Sequence, residues 1–324
     1  MLKRRRLGKT SLQVSEIGLG CWQLGGELNI NGVSTTYGNV TKENAKAIVE
    51  CALDFGVNTF DTADVYSLGQ SERRLGEILK ERRNDVYIFT KAGNVLTYTE
   101  TTLSEWDFSD NYLISAINRS LKRLDTDYID LFQVHIPPES EDDFRNVENA
   151  FEKIKSENKA NYCGVSIGNQ FEKGIELIER GLVDTLQVYF SLLDFNVSKK
   201  LFSVAKKHNI GLIVAEPLAQ GFLTGKYQKQ TVFPKNDLRT RFTRDEIKTK
   251  VEKANDFQIF VNENRTMNQI ALLYVLSHDV VSTCIPGAKS VEQLKSNLTS
   301  HERKLYPNEL EKIKEIQQKW QKTT

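Results

Sequence analysis

Short apolar runs alternate with longer amphipathic segments almost from end to end of this chain, and no other feature restricts its possible folds as much. The run SEIGLG (15–20) precedes KENAKAIVECALDFG (42–56). There Ala45, Ile48, Val49, Ala52, Leu53 and Phe55 recur at helical spacing, and Gly56 stands where a helix would be capped. NTFDTA leads to SERRLGEILKERR, VYIFTK to NYLISAINRSLKRLD, and YIDLFQVH to DFRNVENAFEKIKSEN. ANYCGVSI then leads to FEKGIELIERG, and DTLQVYF to VSKKLFSVAKKHN. IGLIVAEPLA opens a long loop and a helical region from about Asp245 to His278. VSTCIPGA with SVEQLKSNL closes the series, and PNELEKIKEIQQKW (307–320) reads as an extra C-terminal helix.

Such alternation implies parallel strands joined by helical crossovers, and unbroken apolar runs suit strands buried on both faces. About eight strand–helix units fit a closed (β/α)8 TIM barrel better than an open doubly wound sheet. The expectation is one α/β barrel domain over residues 1–324, since no linker or shift in composition divides the chain. Two strand-like pieces before Glu16 are surplus to the barrel and predict an N-terminal β-hairpin at its bottom.

Charge excludes several function classes. With 44 Lys and Arg against 43 Asp and Glu, the net charge is +1, so no global field draws in nucleic acid or an anionic membrane. The basic start MLKRRRLGKT lacks the apolar core of a secretory leader, and Leu2, Leu7 and Leu12 break its charge as an exposed hairpin would. No apolar run approaches the ~20 residues that span a bilayer. Cys21, Cys51, Cys163 and Cys284 are widely spaced in apolar surroundings and read as buried free thiols of a reducing compartment. The expected location is therefore cytoplasmic. The four His do not join these Cys at zinc-ligand spacing, so no metal is expected.

In a barrel of this kind, chemistry belongs where strands end and βα loops begin. The second apolar run ends on Asp61, with Tyr66 five residues on; the third ends on Lys91, the fourth on His135. Each alone has a plain structural explanation: a turn cap, a loop aromatic, a surface lysine, a packed imidazole. Together, at three successive strand ends about 5 Å apart, they assemble an acid, an ammonium, an imidazole and a phenol. That group suits carbonyl reduction. Lys91 is expected to lower the Tyr66 pKa from its usual ~10, and Asp61 to hold Lys91 charged. His135 would hydrogen-bond the substrate oxygen, provided its other nitrogen is anchored. A hydrolytic triad fits less well, because no G-x-S-x-G elbow is present.

At these residues the chain closely resembles the aldo-keto reductase superfamily. The resemblance is carried by GLGCWQLGG, NTFDTADVY with SERRLGEIL, FTK, SLKRLDTDYIDLFQVH, GVS, LQVYFSLLD, PLAQGFLTGKY and CIPGAKSVEQLKSNL, which run nearly the full chain. It implies an Asp–Tyr–Lys–His tetrad at Asp61, Tyr66, Lys91 and His135. The implied reaction is reversible, metal-free hydride transfer between NAD(P)H and a small-molecule aldehyde or ketone.

The resemblance further implies that Ser166 and Gln187 hold the nicotinamide carboxamide. Pro217, Leu218, Gly221, Gly225 and Lys226 would form the loop over the pyrophosphate, the two glycines letting backbone N–H groups approach it. Gly287, Lys289, Gln293 and Asn297 would lie at the adenosine end, near a helix N-terminus. Lys289 could pair with a 2′-phosphate, which favours NADPH over NADH. GLGCWQ is not a dinucleotide fingerprint, since it lacks the third glycine and an immediate helix.

Two positions depart from the family pattern. Ser166 is followed by Ile-Gly-Asn where many relatives carry Asn directly, which leaves the reach of Asn169 open. At the seventh strand end VAEPLA places Ala215 or Glu216 where many relatives carry an aromatic residue that stacks on nicotinamide. Trp22, Trp106 and Phe190 are candidate pocket walls, with core packing the alternative for Phe190. Only Gln321–Thr324 follow the last helix, so a fairly open pocket is expected. Two other functions remain open to such a chain. A cofactor-binding regulatory subunit, as in the family's potassium-channel β-subunit branch, keeps the barrel with little turnover. A Schiff-base enzyme using Lys91 needs a neutral amine, which Asp61 opposes.

Overall fold

The computed structural model describes residues 2–30, 33–95 and 105–322. Two short strands, β1 (Arg4–Arg6) and β2 (Gln13–Ser15), pair antiparallel ahead of the barrel. The eight barrel strands are β3 (Leu19–Gly20), β6 (Thr59–Asp61), β7 (Tyr87–Ala92), β10 (Ile129–Val134), β11 (Ala160–Gly168), β12 (Thr185–Tyr189), β13 (Gly211–Ala215) and β14 (Val281–Cys284). Each pairs in parallel with the next, in chain order. The ring closes through Gly18 N–H to the Cys284 carbonyl at 2.8 Å and Cys284 N–H to the Glu16 carbonyl at 3.0 Å. The remaining strands are two-residue pairs within βα loops. β4 (Asn29–Ile30) and β5 (Val33–Ser34) lie in the first, β8 (Asn94–Val95) and β9 (Glu105–Trp106) in the third.

The hairpin is where the sequence placed it. Leu7, Leu12 and Val14 are buried with Phe89, Leu131 and Ile213 in a separate cluster, so the hairpin plugs the barrel. Its turn lies so close that a Cβ on Gly8, whose φ is +55°, would come 2.1 Å from Gly211 N. Only glycine fits there.

Seven helices follow the predicted periodicity: α1 (Lys42–Asp54), α2 (Gln70–Leu79), α3 (Asp110–Leu124), α4 (Glu141–Ser156), α5 (Phe171–Glu179), α6 (Val197–Lys207) and, at the end of the series, α9 (Val291–Leu298). Thr41, Ser109 and Ser140 cap α1, α3 and α4 by accepting first-turn N–H groups. The helical region expected over about Asp245–His278 is divided. α7 (Arg244–Asn255) has a capping box from Thr243 and Glu246, and eleven residues separate its end from the start of α8 (Met267–Leu276). α8 is buried at all ten positions, which accounts for its uniformly apolar sequence. α10 (Pro307–Lys322) packs Ile313, Ile316 and Gln317 inward. The four cysteines are free and buried. Among the described residues no helix is long and apolar enough to cross a membrane.

Candidate active site

Asp61 is the last residue of β6, Lys91 lies one residue before the end of β7, and His135 directly follows β10. These strands are neighbours in the ring, so three consecutive strand ends deliver three polar groups to one point. Lys91 is fully buried, and its Nζ donates to Asp61 Oδ1 at 2.5 Å, the Thr62 carbonyl at 2.8 Å and Tyr66 Oη at 3.3 Å. The other Asp61 oxygen accepts from Gln187 Nε2 at 2.8 Å and Gln133 Nε2 at 3.3 Å. A carboxylate and an ammonium are thus buried with nearly all of their bonding capacity met inside the protein, the condition under which such a pair is tolerated.

Tyr66 reaches Lys91 because its loop doubles back. Ser67, Leu68 and Gly69 follow in the left-handed region, with φ of 48°, 54° and 79°. Two non-glycine residues in that region store strain, of order 1–3 kcal/mol each. Ser67 Oγ donates to the Gly26 carbonyl at 2.9 Å, and Ser71 Oγ to the Cys21 carbonyl at 2.8 Å, which tie this loop to the first βα loop. Trp22 lies parallel to the Tyr66 ring, centroids 5.6 Å apart, and His135 meets its edge at 5.8 Å.

The electrostatics differ from expectation on one point. Burial, reinforced by the Asp61 carboxylate, pushes the Tyr66 phenol well above its ordinary value rather than below it. The Lys91 charge is largely cancelled by Asp61, so it does not outweigh desolvation. Burial and the Lys91 charge lower His135 to about 3, leaving the imidazole neutral. Its Nδ1 has no partner among the described residues, so the anchor expected for that nitrogen is absent.

Asp61, Tyr66 and His135 open onto a cavity of about 530 Å³, whose walls also include Trp22, Gln23, Ser166, Gln187 and Pro217. Its other end is cationic, with Lys226, Arg239 and Lys289 beside Gln293 and Asn297. Lys289 Nζ donates to the Tyr37 carbonyl at 2.8 Å, and Leu238 N–H to the Thr36 carbonyl at 2.8 Å. The first βα loop is therefore joined to both the seventh and the eighth along one wall.

A family model described as the aldo/keto reductase family matches residues 16–318. The chain belongs to the aldo/keto reductase family. It is 32% identical to an uncharacterised oxidoreductase of Bacillus subtilis, over 96% of this chain and 95% of that one. It is 33% identical to a putative voltage-gated potassium channel subunit beta of Schizosaccharomyces pombe, over 96% and 92%. Among solved structures, an aldo-keto reductase from Bacillus halodurans in its holo form superimposes with a TM-score of 0.78 at 31% identity, over 98% of this chain and 96% of that one. Membership places the chain among oxidoreductases of carbonyl groups that use nicotinamide cofactors.

In this aldo/keto reductase the four tetrad positions come together, as do Ser166, Gln187, Pro217, Leu218, Gly221, Lys226, Gly287, Lys289, Gln293 and Asn297 around one cavity. Some details differ from the sequence reading. Gly221 N–H is taken by the Leu218 carbonyl at 2.9 Å, so the residue contributes its φ of 91° rather than a free donor. Gly225 is not part of the cavity wall, although Thr224 and Lys226 are. Trp106 is 38% exposed on β9 and also lies outside that wall. Phe190 is fully buried against Phe202, Tyr274 and His278.

Wall or site residues outside the sequence reading include Gln23, Tyr37, Gln133, Tyr189, Gln220, Arg239 and Asn268. Tyr189 was findable, since strand side chains alternate and Gln187 already faced the cavity. Gln133 carried the same signal, two residues before His135. Arg239, ion-paired to Asp237 at 2.6 Å, and Tyr37 come from loops with no periodic signal.

Proposed function

We propose that this chain reduces aldehyde or ketone carbonyls with NADPH, Tyr66 serving as the proton donor. The observation that carries the reading is the buried Asp61–Lys91–Tyr66 chain ending at a cavity with a cationic far end. The walls fit a dinucleotide: Gln23 and Gln220 each present a buried amide oxygen without a partner among the described residues. Lys289 and Arg239 suit a 2′-phosphate, which is the basis for preferring NADPH to NADH. When bound, the nicotinamide supplies the hydride and takes it back in the reverse direction.

The protein's own residues manage the proton. A high phenol pKa keeps Tyr66 loaded across the ordinary pH range. The acceptor is a carbonyl oxygen that becomes alkoxide-like during reduction and is far more basic than a phenolate, so the transfer is downhill. Lys91 Nζ, already on the phenol oxygen, stabilises the phenolate that remains, and Asp61 and Gln187 hold Lys91 in place through their own bond. Neutral His135 acts as a hydrogen-bonding group toward the substrate oxygen rather than as an acid. Trp22, flat against Tyr66, keeps water from one side of the donor. A Schiff-base role for Lys91 is disfavoured by its complete burial, its bond to Asp61 and its place behind the cavity wall.

The test is titration of the protein with NADPH and NADH by fluorescence, followed by a panel of carbonyl compounds read at the cofactor absorbance. The expected result is tight NADPH binding and turnover. Binding without turnover transfers the reading to the regulatory one, which the similarity to a putative channel subunit favours. Absence of binding overturns both.

A further inference from the structure

The charged groups of the cavity wall are unevenly matched. Among the described residues its acids are Asp61, Glu216 and Glu292. Asp61 is bonded to Lys91 and Gln187, and Glu292 accepts from Ser290 in the first turn of α9. Glu216 has no such match. Among the described residues it forms no ion pair, and both of its oxygens accept from the single Nε2 of Gln220, at 3.0 and 3.1 Å. Arg241 and Lys250 act on it at longer range only, and neither lines the cavity. Asp194, a nearby acid, is already bonded by Asn169, which follows a register irregularity in β11 and is absent from the cavity wall.

Position and backbone both set Glu216 apart. It directly follows β13, whose last residue, Ala215, pairs with Tyr189. Burial raises the phenols of Tyr37, Tyr66 and Tyr189, and the Glu216 charge adds to each. Its field is therefore felt at the reacting end of the cavity. The φ of Glu216 is +52°, and Ala219 and Gln220 hold +47° and +57°. Glycine would take up that backbone without strain. Strain of this kind persists where the surroundings fix it, as they do at ligand clamps. Burial opposes the ionised form of Glu216, while the Gln220 bond and the charges of Arg241 and Lys250 favour it.

We propose that Glu216 is a charge filter at the reacting end of the cavity, admitting neutral and cationic carbonyl compounds and rejecting those that carry a carboxylate or phosphate. The inference rests on the carbonyl reduction proposed above and names the substrate class of that site. Its physical need comes from the far end, where Lys226, Arg239 and Lys289 attract any anion that enters. A cavity cationic throughout would draw in anionic carbonyls along with the dinucleotide. An unneutralised carboxylate in a partly desolvated wall repels such a substrate and leaves a neutral one untouched. The two ends thus sort their ligands by sign.

The test compares para-formylbenzoate, its neutral methyl ester and para-(trimethylammoniomethyl)benzaldehyde, each reduced with NADPH at a pH of about 8, above the ordinary carboxylate range. The proteins are the wild type, Glu216→Gln and Glu216→Asp, with thermal unfolding as the check on each fold. Ratios of kcat/KM are compared between proteins, which cancels the intrinsic reactivity of the aldehydes. Glu216→Gln keeps the size and removes the charge, and should lower the cation-to-carboxylate ratio by about tenfold. Glu216→Asp keeps the charge on a residue that tolerates positive φ, and should hold the ratio within about threefold of the wild type. Added salt should lower the wild-type ratio in the same direction, a measurement that needs no variant. A ratio unchanged in Glu216→Gln or insensitive to salt overturns the proposal. So does a loss confined to NADPH affinity, which would assign Glu216 to the nucleotide. Absence of turnover with all the aldehydes overturns carbonyl reduction itself, a result distinct from the others.

Discussion

The rim over β6, β7 and β10 and the rim over β11, β12 and β13 differ in how their charged groups are held. In the first, Lys91, Asp61, Glu72 and Thr90 are buried and bonded to one another or to neighbouring side chains, with Arg123 closing on Glu72 at 2.6 Å. In the second, among the described residues, Tyr189 has no hydrogen-bond partner and the Glu216 carboxylate accepts only from Gln220, at 3.0 and 3.1 Å. Glu216, Ala219, Gln220 and Gly221 all hold positive φ, so the backbone there is strained. Groups that move a proton gain from firmly held charges, here the Asp61–Lys91 pair, even though Asp64 Oδ1 and His135 Nδ1 on the same rim lack partners among the described residues. Groups that recognise a ligand must keep bonding capacity and surface unspent until it arrives.

This contrast can be broken by mutation. The largest effect is expected from Tyr66→Phe, which removes the proton donor: turnover should fall by about 10²- to 10⁴-fold while NADPH affinity stays within about twofold. Near-normal turnover would remove Tyr66 from the mechanism. Lys91→Met strands the Asp61 carboxylate in the core and should cost about 3–5 kcal/mol in urea unfolding, whereas Glu216→Gln on the opposite rim should change stability by under ~1 kcal/mol. Equal costs at the two rims would erase the distinction.

Asp64 sharpens it from within the rigid rim. Burial, and then the Glu72 carboxylate, raise Asp64 to about 8, and its Oδ1 has no partner among the described residues. A carboxyl held above its unfolded pKa of ~3.9 makes the folded state lose stability as pH rises from about 4 to 8. Asp64→Asn should remove that dependence and add on the order of 1–3 kcal/mol at pH 8, little at pH 4. A variant no more stable than the wild type at pH 8 would show that the site accommodates the charge. At the cationic end, Lys289→Ala should reduce the preference for NADPH over NADH by about tenfold, read as a ratio of dissociation constants. An unchanged ratio would assign the 2′-phosphate to another group. Trp106→Ala, outside the cavity wall, should leave NADPH affinity and KM within about twofold. A larger change would bring the third loop into the site.

The barrel and the tetrad were legible for one physical reason. Consecutive βα units place consecutive strands side by side, so the ends of neighbouring apolar runs are also neighbours in space. Asp61, Lys91 and His135 could therefore be grouped without knowing any distance. The same reasoning does not reach Tyr37 or Arg239, which enter the site only because Leu238 N–H bonds the Thr36 carbonyl across some 200 residues. Of the two readings open for Phe190, core packing is the one the structure takes, while Tyr189 one residue earlier faces the cavity because strand side chains alternate. The same reasoning gave Trp106 a place in the pocket where β8 pairing holds that residue on an exposed strand.

By itself the sequence determined which residues end the strands, hence the fold, the hairpin plug and the meeting of the four groups proposed as the reaction centre. These follow from periodicity and chain order, which are local properties. Tertiary structure alone decided the charge state of that centre: burial and the Asp61 carboxylate raise Tyr66 where adjacency to Lys91 suggested the reverse. It likewise decided that a bulge at Gly168 would turn Asn169 outward and make room for the Tyr189 ring. Desolvation and register depend on everything packed around a residue, and no local pattern in the chain encodes them.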